Sequence, residues 1–156
     1  MVIRHTELKK IEQQYEKNGN QLVLLYGREG CDKEALIRIF CKGKKFFYYR
    51  ARKASAQEQC MQFGHEIEKQ YELSLSKYNY TEFFNRIRSG NASKLVVIID
   101  EFQNIAKRDE EFFKAILKLK AKKLYPGPVM VILASSSVAW VEQELEERLA
   151  EGMKKI

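Results

Sequence analysis

The sequence predicts a three-layer α/β/α domain on a mostly parallel sheet of about four strands. Three observations carry this expectation. Apolar runs of strand length alternate with stretches whose apolar residues recur every three or four positions, as in strands joined by crossover helices. Two runs, residues 22–26 (LVLLY) and 95–99 (LVVII), are apolar without alternation, so both faces of each must be covered. Finally, 156 residues make one domain, enough to bury a core without disulfides or a structural metal. Residues 1–156 are therefore read as a single domain.

In chain order, Leu8, Ile11 and Tyr15 share one face of a helix over about 6–17, which Asn18-Gly19-Asn20 ends. The strand 22–26 follows, then Gly27, a polar loop and a helix with the stripe Leu36, Ile37, Phe40 and Cys41. A second strand spans 44–50. A long helix over about 55–70 turns Cys60, Phe63 and Ile67 inward, residues 71–80 have no clear period, and a short helix from Thr81 uses Phe83, Phe84 and Ile87. Ser89-Gly90-Asn91 ends it. The strand 95–99 runs into Asp100-Glu101, and Asp109 is placed to cap a helix bearing Phe112, Phe113, Ile116 and Leu117. Pro126-Gly127-Pro128 is a break. A fourth strand over 129–133 leads to Ser135-Ser136-Ser137, and a last helix starts near Val138, with Glu142, Glu144 and Glu146 near its positive end and Trp140 as its anchor.

Composition excludes several classes. Apolar residues at 45% and aromatics at 12% exclude a disordered chain. No apolar run approaches a membrane span, and the first residues lack the apolar core of a secretory signal, so a soluble cytoplasmic protein is expected. Cys31, Cys41 and Cys60 have no metal-site spacing and read as buried thiols. Lys and Arg exceed Asp and Glu by 28 to 21, and the net charge of +7 implies an anionic partner.

Ligands of such sheets bind beyond the carboxyl ends of the strands, here after Tyr26, Ile99 and Leu133. The first loop, Gly27-Arg28-Glu29-Gly30-Cys31-Asp32-Lys33-Glu34, has Gly27 and Lys33 where a phosphate-binding loop (G-x-x-x-x-G-K-[ST]) needs them. Asp32 replaces the second glycine and Glu34 the hydroxyl that holds Mg²⁺. A carboxylate about 4 Å from a phosphate charge costs on the order of 4 kcal/mol at an effective dielectric near 20. That is roughly a thousandfold in affinity. Asp32 and Glu34 are also free to pair with Arg28 or Lys33. Asp100 and Glu101 stand at a strand end suited to metal and water chemistry, or simply cap a turn.

Arg4-x-x-Glu7-Leu8 with residues 21–28 (QLVLLYGR), Ile99-Asp100-Glu101-Phe102-Gln103 and Ile132-Leu133-Ala134-Ser135-Ser136-Ser137-Val138 together resemble the archaeal-type ATPases. These are P-loop proteins of the wider AAA and STAND grouping, and the likeness spans nearly the whole chain, with Ser135 at a glycine position. The resemblance implies ATP at Gly27, Arg28, Gly30 and Lys33, Mg²⁺ near Asp100, water activation by Glu101 and γ-phosphate sensing by Ser136. With the altered loop, it points to a degenerate nucleotide-binding domain with weak ATP binding and lost hydrolysis. It also implies that the family's fifth strand, lid and winged-helix parts are missing. The edge of strand 22–26 would then be open to a protein partner or to self-association.

The alternative is a non-catalytic interaction module on the same fold. Lys42, Lys44, Lys45, Arg50, Arg52 and Lys53 bracket Phe46, Phe47, Tyr48 and Tyr49, a pattern that serves single-stranded nucleic acid. The plainer reading, preferred on sequence, is an edge strand guarded by lysines with its aromatics packed under helices.

Overall fold

The computed structural model describes residues 5–27, 32–88, 94–121, 127–145 and 153–155. The elements are α1 (His5–Glu16), β1 (Gln21–Tyr26), α2 (Lys33–Cys41), β2 (Lys45–Arg50), α3 (Ala56–Tyr71), α4 (Tyr80–Arg88), β3 (Leu95–Asp100), α5 (Gln103–Ala106), α6 (Glu110–Ala121), β4 (Val129–Ser135), α7 (Val138–Trp140) and β5 (Met153–Lys155). The strands form one sheet in the order β2-β3-β4-β1-β5, with every pairing parallel.

Alternate side chains divide the core into two layers, as the period of two in a strand requires. Val23, Leu25, Val96, Ile98, Met130 and Ile132 meet Ile11 of α1 and Leu36, Ile37 and Phe40 of α2. On the other face, Leu22, Leu24, Phe47, Tyr49, Val97, Ile99, Val131 and Leu133 pack against α3, α4, α5 and α6. Aromatic rings fill much of this second layer, with Phe63 stacked on Phe83 at 5.5 Å and edge-on to Tyr80 at 5.2 Å.

Local chemistry explains the element ends. Ser55 caps α3 by accepting the Glu58 N–H, and Asp109 accepts the Glu111 N–H at the start of α6. Gly19 and Gly43 turn the chain at positive φ after α1 and α2. The Lys94 ammonium donates to the Tyr15 and Lys17 carbonyls at the end of α1. Asn20 clamps two elements, donating to the Leu119 and Lys120 carbonyls of α6 and accepting the Val129 N–H of β4.

The sheet differs from expectation at one edge. Met153–Lys155 forms a fifth strand in register with Leu22, Val23 and Leu24, so the β1 edge is paired and offers no open template there. Three residues with two lysines carry no apolar pattern, which is why this strand escapes a periodicity reading. The helix expected from Val138 is one short turn followed by a π-helical turn, Val141–Leu145, and Trp140 packs edge-on to Phe102 at 5.7 Å. The plainer reading of β2 holds: it is an edge strand with Phe47 and Tyr49 buried. Cys41 is buried and Cys60 half-buried, and burial pushes both thiols up to about 11. Arg4, Arg28, Gly30, Cys31, Glu146 and the breaks expected at Ser89-Gly90-Asn91 and at Pro126 lie outside the described residues. No helix among the described residues is long and apolar enough to cross a membrane.

Candidate functional site

Parallel pairing brings the carboxyl ends of β1, β2, β3 and β4 to one rim. Tyr26 stands opposite Ser135, Ala134 opposite Asp100, and Asp100 opposite Arg50. The rim is tied by backbone bonds: Gly27 N–H donates to the Ser135 carbonyl, Phe102 N–H to Ala134 and Ala51 N–H to Asp100.

Glu101 is at the centre. It occupies the left-handed region at φ 52°, a conformation that costs a non-glycine residue about 1 kcal/mol or more. Its Oε1 accepts the Ser136 N–H at 2.8 Å, and its Oε2 accepts the Ser136 hydroxyl at 2.8 Å and the Gln103 amide at 3.1 Å. Burial alone would raise its pKa, but these bonds and the charge of Lys33 outweigh burial and hold the carboxyl below its ordinary range. The network continues inward. Gln103 Oε1 accepts the hydroxyl of the fully buried Ser135 at 2.7 Å, and Ser135 Oγ accepts the Ser137 N–H at 3.0 Å. Ser135 thus links Gln103 to the Ser137 backbone.

Asp100 is 2% exposed. Its Oδ2 accepts the Tyr48 hydroxyl at 2.6 Å and its Oδ1 accepts the Glu101 N–H at 2.9 Å. Burial and this bond both raise the Tyr48 phenol, which remains a donor at neutral pH. Beside it, the Arg50 guanidinium pairs with Glu34 at 2.6 Å. Exposure lets water screen this pair, so it steers Glu34 more than it stabilises the fold. Glu34 therefore turns to Arg50, a partner absent from the sequence reading, which offered Arg28 or Lys33.

Gly27 follows β1 and Lys33 opens α2. Asp32, at the glycine position of the loop, is at φ 63°, ψ 25°, with no side-chain cap bond. The backbone keeps a glycine-like conformation while the side chain adds a carboxylate at the helix start. The candidate residues Gly27, Lys33, Asp100, Glu101 and Ser136 thus lie on one rim, and Glu101 touches Ser136. Sequence reasoning missed Tyr48, Arg50, the bridging role of Gln103 and that of Ser135. The usable signal was positional: Arg50 and Asp100 end adjacent strands.

Mg²⁺ prefers six oxygen ligands in near-ideal octahedral geometry. Here both Asp100 oxygens already accept protein donors, and Glu34 is held by Arg50. No group of three or more His, Cys, Asp or Glu among the described residues is arranged to hold a metal. The described residues thus offer Mg²⁺ few direct ligands: each Asp100 oxygen keeps one lone pair, and the ion would rest chiefly on phosphate and water.

Residues 1–154 match the family of ATPase domains found predominantly in Archaea. The chain belongs to that family. This archaeal-type P-loop ATPase domain is 21% identical over 144 residues to an uncharacterized protein of Methanocaldococcus jannaschii, matching 92% of the chain and 31% of that protein. It resembles the Aeropyrum pernix ORC1 protein, solved in complex with DNA, at a TM-score of 0.64 and 19% identity, covering 99% of this chain and 45% of that one. The Walker-type ATPase of Pyrococcus abyssi gives a TM-score of 0.59 at 16% identity, covering 99% and 54%. The domain spans about a third of its curated relative and about half of these structures. At such identities the structural likeness concerns the fold. Membership brings a general expectation of nucleotide and Mg²⁺ use.

Proposed function

We propose that this domain is a nucleotide-binding module that holds ATP weakly at the start of α2 and does not hydrolyse it. The observation that carries the reading is Glu101, whose two oxygens accept three hydrogen bonds from Ser136 and Gln103. A general base needs a free lone pair and a pKa near the working pH. Here three of roughly four lone-pair sites are engaged and the pKa is lowered. Lys33 and the N–H groups at the start of α2 supply attraction for phosphate, while Asp32 opposes it. Engagement of Ser136 by Glu101 likewise leaves its hydroxyl committed, so γ-phosphate sensing would have to displace that bond.

The test is a thermal-unfolding titration with ATP, beside Lys33→Ala, with phosphate release measured in parallel. ATP at ten times its Kd adds about 1.4 kcal/mol, or roughly 3–6 °C for a domain of this size. The expected result is a shift at millimolar ATP that Lys33→Ala abolishes, with no phosphate release above buffer. Turnover that disappears in Glu101→Gln would overturn the non-hydrolytic part, and absence of any shift would overturn nucleotide binding. Because the described residues offer Mg²⁺ few direct ligands, removing the metal with EDTA is expected to change the ATP Kd by less than about threefold.

A nucleic-acid role on β2 has weaker support. Phe47 and Tyr49 are buried, so the four-residue aromatic run does not form a stacking platform.

A further inference from the structure

The two helical layers cover the sheet unequally. On the face of α1 and α2, the core ends at α2, and the outermost strand β2 presents Phe46, Tyr48 and Arg50 beyond it. The result is a groove of about 740 Å³ between β2 and the second half of α2. Its apolar lining includes Ile37, Cys41, Tyr48 and Phe46, and Phe46 is 48% exposed, among the most exposed large apolar residues described. Arg38 and Lys42 line it as exposed cations, while Lys44 is paired with Glu12 and Arg50 with Glu34.

We propose that this groove docks an amphipathic, acidic helix of a protein partner. An apolar stripe flanked by the exposed Arg38 and Lys42 is complementary to a helix with an apolar stripe flanked by carboxylates. The length fits as well. Six residues of β2 span about 20 Å, the length of a helix of about 13 residues. Addition of an extended strand is disfavoured, because the Gln70 amide of α3 reaches over the edge and donates to the Tyr48 carbonyl at 3.0 Å. Base stacking is disfavoured because Phe46 alone of the four aromatics is largely exposed. This inference does not depend on nucleotide binding. The groove nevertheless borders the candidate site: the Tyr48 ring lines it while the Tyr48 hydroxyl holds Asp100, and Arg50 at its end holds Glu34.

The experiment uses a fluorescein-labelled 14-residue peptide with leucines at i, i+3, i+4 and i+7 and glutamates elsewhere. A shuffled peptide of the same composition and a labelled 20-nucleotide oligothymidine serve as comparisons. Fluorescence anisotropy is read on the whole chain and on two variants, Phe46→Asp and the double variant Arg38→Glu with Lys42→Glu. These positions are exposed, and circular dichroism checks that the variants fold. The expected result is saturable binding of the amphipathic peptide, weakened about tenfold or more in each variant, and little binding of the shuffled one. Failure to saturate, equal binding of the shuffled peptide, or binding unchanged by Phe46→Asp would overturn the proposal. So would tighter binding of oligothymidine lost in the same variants. Self-association in analytical ultracentrifugation that Phe46→Asp abolishes would also overturn it, assigning the groove to a second copy. The two wild-type peptide titrations decide even if a variant fails to fold.

Discussion

Removing one hydroxyl isolates what holds Glu101 closed. Ser136→Ala deletes the 2.8 Å bond to Oε2 and leaves the Ser136 N–H and the Gln103 amide in place. A hydrogen bond to a charged group is worth about 1.5–3 kcal/mol, and water reaching the half-exposed carboxylate replaces part of it. The expected loss at neutral pH is therefore about 1–1.5 kcal/mol. Its pH dependence has a definite sign. The folded pKa of Glu101 is lowered, so its stabilisation is present above the unfolded value near about 4.3 and is lost as pH falls through the folded value. Ser136→Ala raises the folded pKa toward the ordinary range, so the difference between wild type and variant should shrink at acid pH. Urea unfolding at pH 7 and at pH 3 measures both differences, and NMR titration of the Glu101 carboxyl follows the pKa directly. A variant as stable as wild type at pH 7, or a loss of the same size at both pH values, would refute this account of the carboxylate.

Asp32→Gly should relieve the positive φ and remove a carboxylate from the phosphate path, tightening ATP by roughly 100- to 1000-fold in calorimetry while changing stability by less than about 1 kcal/mol. Asn20→Ala should cost about 2–3 kcal/mol in urea unfolding, because it leaves carbonyls at the end of α6 and the Val129 N–H without their clamp. The Cys41 thiol, pushed up to about 11 by burial, should resist iodoacetamide at pH 8 and react once unfolded, read by mass spectrometry of its peptide. Tyr48→Phe should leave Asp100 Oδ2 without its donor and cost about 1–2 kcal/mol in urea unfolding at pH 7.

The layers were legible because the apolar pattern is strong. Residues 22–25 and 95–99 lie in strands and are buried, and Leu36, Ile37, Phe40 and Cys41 form the inner face of α2 as their spacing predicts. Elements too short to show a period, β5 and α5, were not legible. At the site, the motif positions named Glu101 and Ser136, but periodicity is silent on which side chains meet. Tyr48 belongs to a run read as an aromatic–basic edge, and only the register of β2 against β3 carries it toward Asp100. Glu34 illustrates the same limit: its partner Arg50 lies in another element, beyond any local pairing rule.

The strand order also governs when the rim comes into being during synthesis. β2, β3 and β4 each neighbour a strand consecutive in the chain, whereas β1 pairs only with β4 and β5, made long after it. The segment leading to Gly27 thus leaves the ribosome before either of its neighbours, a topology that slows closure. Until residues around Met130 to Ser135 emerge, the nascent chain has no parallel neighbour in place to align Tyr26 with the serines. A nascent chain arrested before that point would carry the segment after β1 without its sheet, leaving the apolar residues 22–25 to chaperones.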